Sequence, residues 1–93
     1  MRDNMEKLIE EAARVLKTAG AREVYVFGSV AKGEMTGHSD IDLAVTGLPP
    51  EMFFKAMSKV VGVLGRPLDL IDLDEESPFT HYLKEEGELQ LVG

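Results

Sequence analysis

The strongest constraint on the fold is the alternation of two long amphipathic segments with three short apolar ones. Apolar residues recur at helical spacing from Met5 to Ala19 and from Pro50 to Leu64. β-branched and aromatic runs at residues 24–27, 41–45 and 68–73 predict buried strands. Strands separated by helices bury their apolar faces by packing helices on a small sheet, so we expect an α/β (α+β) domain.

Turn and capping signals complete the predicted order of elements. A short helix at residues 30–32 follows the first strand, Ser77-Pro78 begins a helix that ends at Gly87, and residues 89–92 are typical of a short edge strand. The predicted order is α-β-α-β-α-β-α-β. Because 93 residues correspond to one small domain, we expect a single domain over residues 1–93.

Composition and charge exclude several classes of function. The chain has 17 acidic and 10 basic residues, and its net charge of -7 argues against nucleic-acid binding driven by counterion release. With no cysteine and two histidines, disulfides, thiolate zinc sites and a histidine-rich metal cage are excluded. We find no secretion signal and no apolar run of the about 18–20 residues that span a membrane, so we expect a cytoplasmic protein without a membrane partner.

A glycine and a serine follow the first predicted strand. Gly28 permits a sharp turn, and Ser29 begins the short predicted helix, where free N–H groups and the helix dipole favour an anion. Lys32 is the only lysine or arginine between Glu23 and Phe54, which makes it the natural cation for a phosphate tail. These residues predict a phosphate cradle, although Gly-Ser after a strand also occurs as a simple helix-capping turn.

Two carboxylates open the second predicted strand. Asp40 and Asp42 are two residues apart, so their side chains project from one face with Cα atoms about 6.5 Å apart. Carboxylates at that spacing can bind two divalent ions, and hard oxygen ligands favour Mg²⁺ or Mn²⁺. A solvated strand face, or a turn role for Asp40, is the alternative interpretation.

A third carboxylate lies inside the next apolar strand. Asp69 stands between two leucines, where a lone carboxylate is costly to bury without a cationic partner. Strand alternation places Asp69 and Asp72 on opposite faces, so only one of them can reach the site. We favour Asp69 as third metal ligand and general base, because solvent exposure explains Asp72 near the strand's end. This choice depends on the inferred strand register.

A phosphate cradle, paired carboxylates and a third carboxylate suit one reaction. They favour attack by a hydroxyl on the α-phosphorus of a nucleoside triphosphate, with two metals that activate the hydroxyl and stabilise the departing pyrophosphate. The chain lacks Gly-x-x-x-x-Gly-Lys-[Ser/Thr] and Gly-x-Gly-x-x-Gly, which argues against P-loop and dinucleotide-binding folds.

The motif as a whole resembles the signature of the polymerase-beta-like nucleotidyltransferases. The segments that carry it are Val26-Phe27-Gly28-Ser29, Ala31-Lys32-Gly33 and Ser39-Asp40-Ile41-Asp42-Leu43-Ala44-Val45, which fit Gly-Ser-x10-Asp-x-Asp without a gap. In length and layout the chain resembles the minimal nucleotidyltransferases. The resemblance implies the nucleotidyltransferase fold, a small mixed β-sheet flanked by helices.

The resemblance also implies roles for particular residues. Triphosphate binding falls to Gly28, Ser29 and Lys32. Metal binding and catalysis fall to Asp40, Asp42 and Asp69. The implied cofactors are two Mg²⁺ ions, with Mn²⁺ as a substitute, and ATP is the implied co-substrate.

The resemblance further implies a protein partner. Minimal nucleotidyltransferases are frequently encoded beside a HEPN-domain toxin, which implies an antitoxin that transfers AMP from ATP to a tyrosine of the HEPN ribonuclease. We therefore expect the acceptor from a HEPN-type toxin, with homodimerisation left open. Residues 69–88 hold eight acids and one base, Lys84, and either face that basic partner or form solvated surface.

Two other functions remain open from the sequence. One is a small-molecule nucleotidyltransferase, for example one that adenylylates an aminoglycoside. The other is a non-catalytic binding module that neutralises its partner by contact. We expect Tyr82, on the helical face of Phe79 and Leu83, to be part of the core and not an acceptor of self-modification.

Overall fold

One mixed four-stranded sheet organises the chain. The computed structural model describes residues 4–28, 41–87 and 89–92. The helices and strands in these residues are α1 (Asn4–Thr18), β1 (Glu23–Phe27), β2 (Ile41–Thr46), α2 (Pro50–Leu64), β3 (Leu68–Asp72), α3 (Pro78–Glu85) and β4 (Gln90–Leu91). The strand order is β3-β2-β1-β4.

Strand pairing combines two antiparallel contacts with one parallel contact. β1 pairs antiparallel with both β2 and β4, whereas β2 pairs parallel with β3. Parallel neighbours need a crossover connection, and α2 supplies it here. The predicted mixed sheet flanked by helices is therefore confirmed.

Helices α1 and α2 pack against each other and cover one face of the sheet. Apolar residues alternate along the central strands, so β1 and β2 present one apolar row to the helices. The core on this side is formed by Ile9, Ala12, Ala13, Leu16, Ala21, Val24, Val26, Ile41, Leu43, Val45, Leu48, Ala56, Val60, Leu64 and Leu70.

The bounds of α2 follow from its terminal residues. Pro50 lies in the first turn, where a missing N–H costs no helical hydrogen bond. Gly65 adopts a left-handed conformation (φ 67°), and its N–H donates to the Val61 carbonyl at 2.9 Å. The helix therefore ends before β3 begins, as predicted.

The short helix α3 covers part of the opposite face. Ser77 caps it: the Ser77 Oγ accepts from the Thr80 N–H at 3.1 Å, and the Thr80 Oγ1 accepts from the Ser77 N–H at 3.1 Å. Leu83 of α3 is buried in a second, smaller cluster. That cluster is formed by Phe27, Ala44, Leu73 and Leu83.

Several details differ from the sequence expectations. Tyr82 and Phe79 are 54% and 48% exposed, so the expectation that Tyr82 belongs to the core was wrong. The buried stripe of α3 consists of Thr80 and Leu83, and a helix of eight residues can bury only one stripe. The last strand is limited to β4, and the short helix predicted at residues 30–32 lies outside the described residues.

Within the described residues, no helix is both long and apolar enough to cross a membrane.

Candidate active site

Three strand ends meet at one edge of the sheet. The antiparallel pairing of β1 and β2 brings the end of β1 to the start of β2, and the parallel pairing of β2 and β3 brings their starts together. The Ile41 N–H donates to the Pro67 carbonyl at 3.1 Å, which ties the start of β2 to the residue before β3. Of the residues predicted to carry the chemistry, Gly28, Asp42 and Asp69 lie at this edge.

Two of the predicted carboxylates are direct neighbours across the strands. Asp42 of β2 pairs in register with Asp69 of β3, and Phe27 pairs with Asp42 on its other side. Residues in register on adjacent strands share a face, and the strands are about 4.8 Å apart. Asp42 is half-buried and Asp69 is exposed. Because adjacent like charges repel, this pair is suited to a bound cation.

Gly28 lies directly against the Asp42 carboxylate. Its φ of 73° is in the left-handed region, where a side chain causes strain. A Cβ atom at Gly28 would collide with the Asp42 Oδ2 and would lie 3.2 Å from the Asp42 Cγ. The glycine of the predicted phosphate cradle and the predicted metal-binding carboxylate are therefore in contact. A side chain at position 28 would collide with the Asp42 carboxylate.

Asp72 has different surroundings from Asp69. It pairs in register with Val45 at the other end of β3, and its Oδ1 accepts from the Asp74 N–H at 2.9 Å. The Asp74 Oδ2 in turn accepts from the Gly47 N–H at 2.6 Å. The register brings Asp69, and not Asp72, beside Asp42; the chemical role of Asp69 stays a prediction.

The remaining predicted site residues are Ser29, Lys32 and Asp40, and they lie outside the described residues. Within residues 4–28, 41–87 and 89–92, no group of three or more histidine, aspartate or glutamate side chains could hold a metal ion. Asp42 and Asp69 contribute only oxygen donors, the ligand type that Mg²⁺ prefers. They fit part of a magnesium site, whose other ligands would come from another residue, water or substrate.

Tyr25 lies on the same face of the sheet as Asp42 and Asp69, but farther along β1 from the candidate active site. It lies two residues before Phe27 on β1 and is half-buried. Burial raises the pKa of the Tyr25 phenol, and a hydrogen bond to the Glu23 carboxylate and its negative charge raise it further. The phenol is therefore held in its neutral form.

Arg66, which no sequence motif singled out, lies in the connection between α2 and β3. The residue is half-buried, its Nη1 atom is fully buried, and no described residue accepts a hydrogen bond from that atom. An arginine three residues before a carboxylate that starts a strand was the available signal.

Comparison with known proteins agrees with this architecture. Residues 7–90 match the family model described as polymerase beta, nucleotidyltransferase. No curated protein sequence matches the chain significantly.

Solved structures share the fold. A protein described as a minimal nucleotidyltransferase is 28% identical, with a TM-score of 0.70 over 92% of this chain and 95% of that one. A chain from a toxin–antitoxin structure with AMP-PNP is 23% identical, with a TM-score of 0.72 over 95% of this chain and 72% of that one.

A third similar structure contains the tri-AMPylated HEPN toxin of Shewanella oneidensis in complex with its MNT antitoxin. The matched chain is 22% identical, with a TM-score of 0.68 over 96% of this chain and 72% of that one. Since the family model covers most of the sequence and the strand register brings two motif carboxylates together, the chain belongs to the polymerase beta nucleotidyltransferase family.

Proposed function

We propose that this chain is a Mg²⁺-dependent nucleotidyltransferase that transfers AMP from ATP to a tyrosine hydroxyl of a HEPN-type toxin and thereby acts as its antitoxin. In this proposal residues 1–93 work as one catalytic domain in the cytoplasm. The observation that carries it is the pairing of Asp42 with Asp69 at the strand edge where Gly28 contacts Asp42.

The proposed reaction is a single displacement at the α-phosphorus. The acceptor hydroxyl forms a new P–O bond, the bond between the α-phosphorus and the bridging oxygen breaks, and pyrophosphate leaves with that electron pair. Asp69, the more exposed of the paired carboxylates, takes the acceptor proton. Gly28 and Ser29 cradle the triphosphate, and Lys32 contacts its phosphates.

Divalent metal completes the proposed site. Asp42 and Asp69, with Asp40, are the residues that would hold two Mg²⁺ ions. When bound, such ions lower the pKa of the acceptor hydroxyl and neutralise charge on the phosphates. The paired carboxylates support this because their mutual repulsion is relieved by a cation.

A protein acceptor is supported by what the similar structures contain and by the surface of this chain. Those structures include a toxin–antitoxin complex with AMP-PNP and an MNT antitoxin with its tri-AMPylated HEPN toxin. Here α3 exposes Phe79 and Tyr82 on the side of the sheet that carries Asp42, and Glu75 and Glu76 are exposed just before α3. Exposed aromatic residues with an acidic rim suit a basic protein partner.

The decisive experiment supplies ATP, Mg²⁺ and a HEPN-domain protein of the native host to the purified chain. Mass spectrometry is expected to find one or more adenylyl groups on a tyrosine of the HEPN protein, with loss of its ribonuclease activity. The double variant Asp40→Asn/Asp42→Asn is the control and is expected to transfer nothing.

Each other result identifies a different function. Full neutralisation by the Asp40→Asn/Asp42→Asn variant would make contact, and not transfer, the mechanism. In a parallel reaction with an aminoglycoside as the acceptor, labelling of the drug while the HEPN protein stays unmodified would make the chain a small-molecule nucleotidyltransferase.

A further inference from the structure

A surface groove of about 320 Å³ lies between α1 and α2. Its apolar lining is formed by Val15 and Ala19 of α1 and by Met52 and Ala56 of α2. Val15, Ala19 and Met52 are half-buried, and Ala56 is buried. A groove between two packed helices can accept the apolar side chains of a third helix.

The rim of this groove is basic, although the chain as a whole is acidic. Arg14, Lys55 and Lys59 line it together with a single acid, Glu11. Arg14 pairs with Glu11 at 2.7 Å, whereas Lys55 and Lys59 form no ion pair with any described residue. Three bases against one acid give the lining a charge of +2, on a chain with a net charge of -7. The groove therefore favours an occupant that carries acidic residues beside apolar ones.

Helix α3 of a second copy has this chemistry. Phe79 and Tyr82 are three residues apart, so they lie on one side of α3, and both are exposed. Glu85 and Glu86 are exposed at the end of the same helix. Residues 74–86 contain five acids and one lysine. Exposed aromatic residues bordered by acids complement an apolar groove with a basic rim.

The groove and α3 also agree in length. Eight residues at about 1.5 Å each make α3 about 12 Å long, and the wall of the groove from Glu11 to Ala19 spans about the same distance. Within one copy, α3 lies on the opposite face of the sheet from α1 and α2, so it cannot reach its own groove. An α3 helix in the groove must therefore come from another molecule.

We propose that the groove between α1 and α2 binds helix α3 of a second copy of this chain, with Lys55 and Lys59 facing Glu85 and Glu86. The contact joins two different surfaces, so it links copies head to tail. At physiological ionic strength the Debye length is about 8 Å, so contacting charges attract while the distant like charges of two acidic chains are largely screened.

This inference goes beyond the proposed function and does not depend on it. The proposed function assigns the exposed surface of α3 to a basic protein partner, and the groove is a basic surface on the chain itself. A partner and a second copy therefore compete for α3.

The test exchanges the charges of the two surfaces. The groove variant is Lys55→Glu/Lys59→Glu, and the α3 variant is Glu85→Lys/Glu86→Lys; all four residues are exposed. Lysines also suit the last turn of a helix, so the α3 variant should fold. Sedimentation equilibrium measures the average mass of wild type, of each variant and of their equimolar mixture, and circular dichroism checks that each is folded.

We expect wild type to associate reversibly with a dissociation constant on the order of 10⁻⁴ M, because a contact through one short helix is small. Each variant alone should associate at least about 10-fold more weakly, since like charges then face each other. The mixture should regain association, because each groove again meets an α3 of opposite charge. Both variants keep a net negative charge, so attraction between whole molecules cannot explain such a recovery.

The matched control is Lys7→Glu/Arg22→Glu, which changes the net charge as much as the groove variant does. Both residues are exposed and lie outside the groove, so the control should associate like wild type. Tyr82→Ser keeps every charge and should also weaken association; it serves as the test if a charge variant does not fold.

Three results would overturn the inference. One is a wild-type protein that stays monomeric at a concentration of about 1 mM, which would leave the groove to a different occupant. The second is a mixture of folded variants that stays monomeric. The third is an equal loss in the Lys7→Glu/Arg22→Glu control, which would make general repulsion, and not the groove, the cause.

Discussion

The two faces of the sheet differ in how they are covered. On one face α1 and α2 bury a continuous core to which fifteen of the described residues contribute. On the other face α3 covers a cluster with four buried residues, and the row of side chains begins with Asp42 and Asp69. The difference teaches that this small domain concentrates its stability on one side and leaves the other for chemistry.

Helix length accounts for much of the difference. α1 and α2 have 15 residues each, whereas α3 has 8. At about 1.5 Å per residue, α3 is roughly half as long as either of the others. Leu83 of α3 belongs to the cluster that contains Phe27, Ala44 and Leu73.

The largest expected effect comes from the helix-covered face. Leu16→Ala removes a fully buried side chain of the main core and should cost about 2–5 kcal/mol of unfolding free energy. Leu83→Ala, in the smaller cluster, should cost an amount near the lower end of that range. Urea denaturation followed by circular dichroism measures both variants. Equal losses would contradict the division of stability between the faces.

Substitutions on the face of the sheet that carries Asp42 and Asp69 should change activity and not stability. Asp69→Asn is expected to lower AMP transfer by about 10²–10³-fold, because a charged group at the reacting centre is lost. Its Tm should stay the same or rise, because repulsion with Asp42 is removed. Asp72→Asn is the matched control, since an amide oxygen can still accept from the Asp74 N–H. Loss of transfer in Asp72→Asn with activity retained in Asp69→Asn would reverse the assignment.

Two glycines with the same left-handed backbone conformation allow the cost of backbone strain to be measured separately from the cost of a steric collision. Gly65 (φ 67°) has open space where a Cβ would be, and Gly28 (φ 73°) has the Asp42 carboxylate there. Gly65→Ala should cost about 1–2 kcal/mol from backbone strain alone. Gly28→Ala should cost about 1–3 kcal/mol more and should weaken metal-dependent binding of α,β-methylene ATP. Identical thermal unfolding and binding of the two variants would show that the contact has no consequence.

The smallest expected effect concerns Tyr25, on the face of the sheet that carries Asp42, and the pH dependence of the unfolding free energy. The pKa of Tyr25 is raised, chiefly by burial and then by Glu23, so its contribution to stability is present below about pH 10 and is lost as pH rises through the folded pKa. Tyr25→Phe should therefore make the alkaline decrease in unfolding free energy shallower. Glu23→Gln should lower the Tyr25 pKa in part. Near-ultraviolet absorbance titration measures the pKa, and an unshifted tyrosine in wild type would contradict the assignment.

Local signals predicted most of the fold, and non-local pairing supplied the rest. Pro50 and Gly65 delimit α2 in the sequence as in the structure, because both act through their own backbone. The neighbour relation of Asp42 and Asp69 depends on a register that no local pattern specifies. From the sequence, alternation shows only that one of Asp69 and Asp72 can reach the site, and Asp69 is favoured because Asp72 is near the strand's end. The exposed Tyr82 was misjudged because a short helix with Phe79, Tyr82 and Leu83 offers two apolar stripes, and packing selects one.

The parallel pairing of β2 with β3 has a consequence for the order of folding. Asp42 and Asp69 become neighbours only after α2 has closed the connection between their strands, and such non-local pairings form slowly. Hairpin-like pairing of β1 with β2 can precede it without assembling both carboxylates. The chain is thus expected to acquire its paired carboxylates late in folding, and a partly folded copy would lack the pairing.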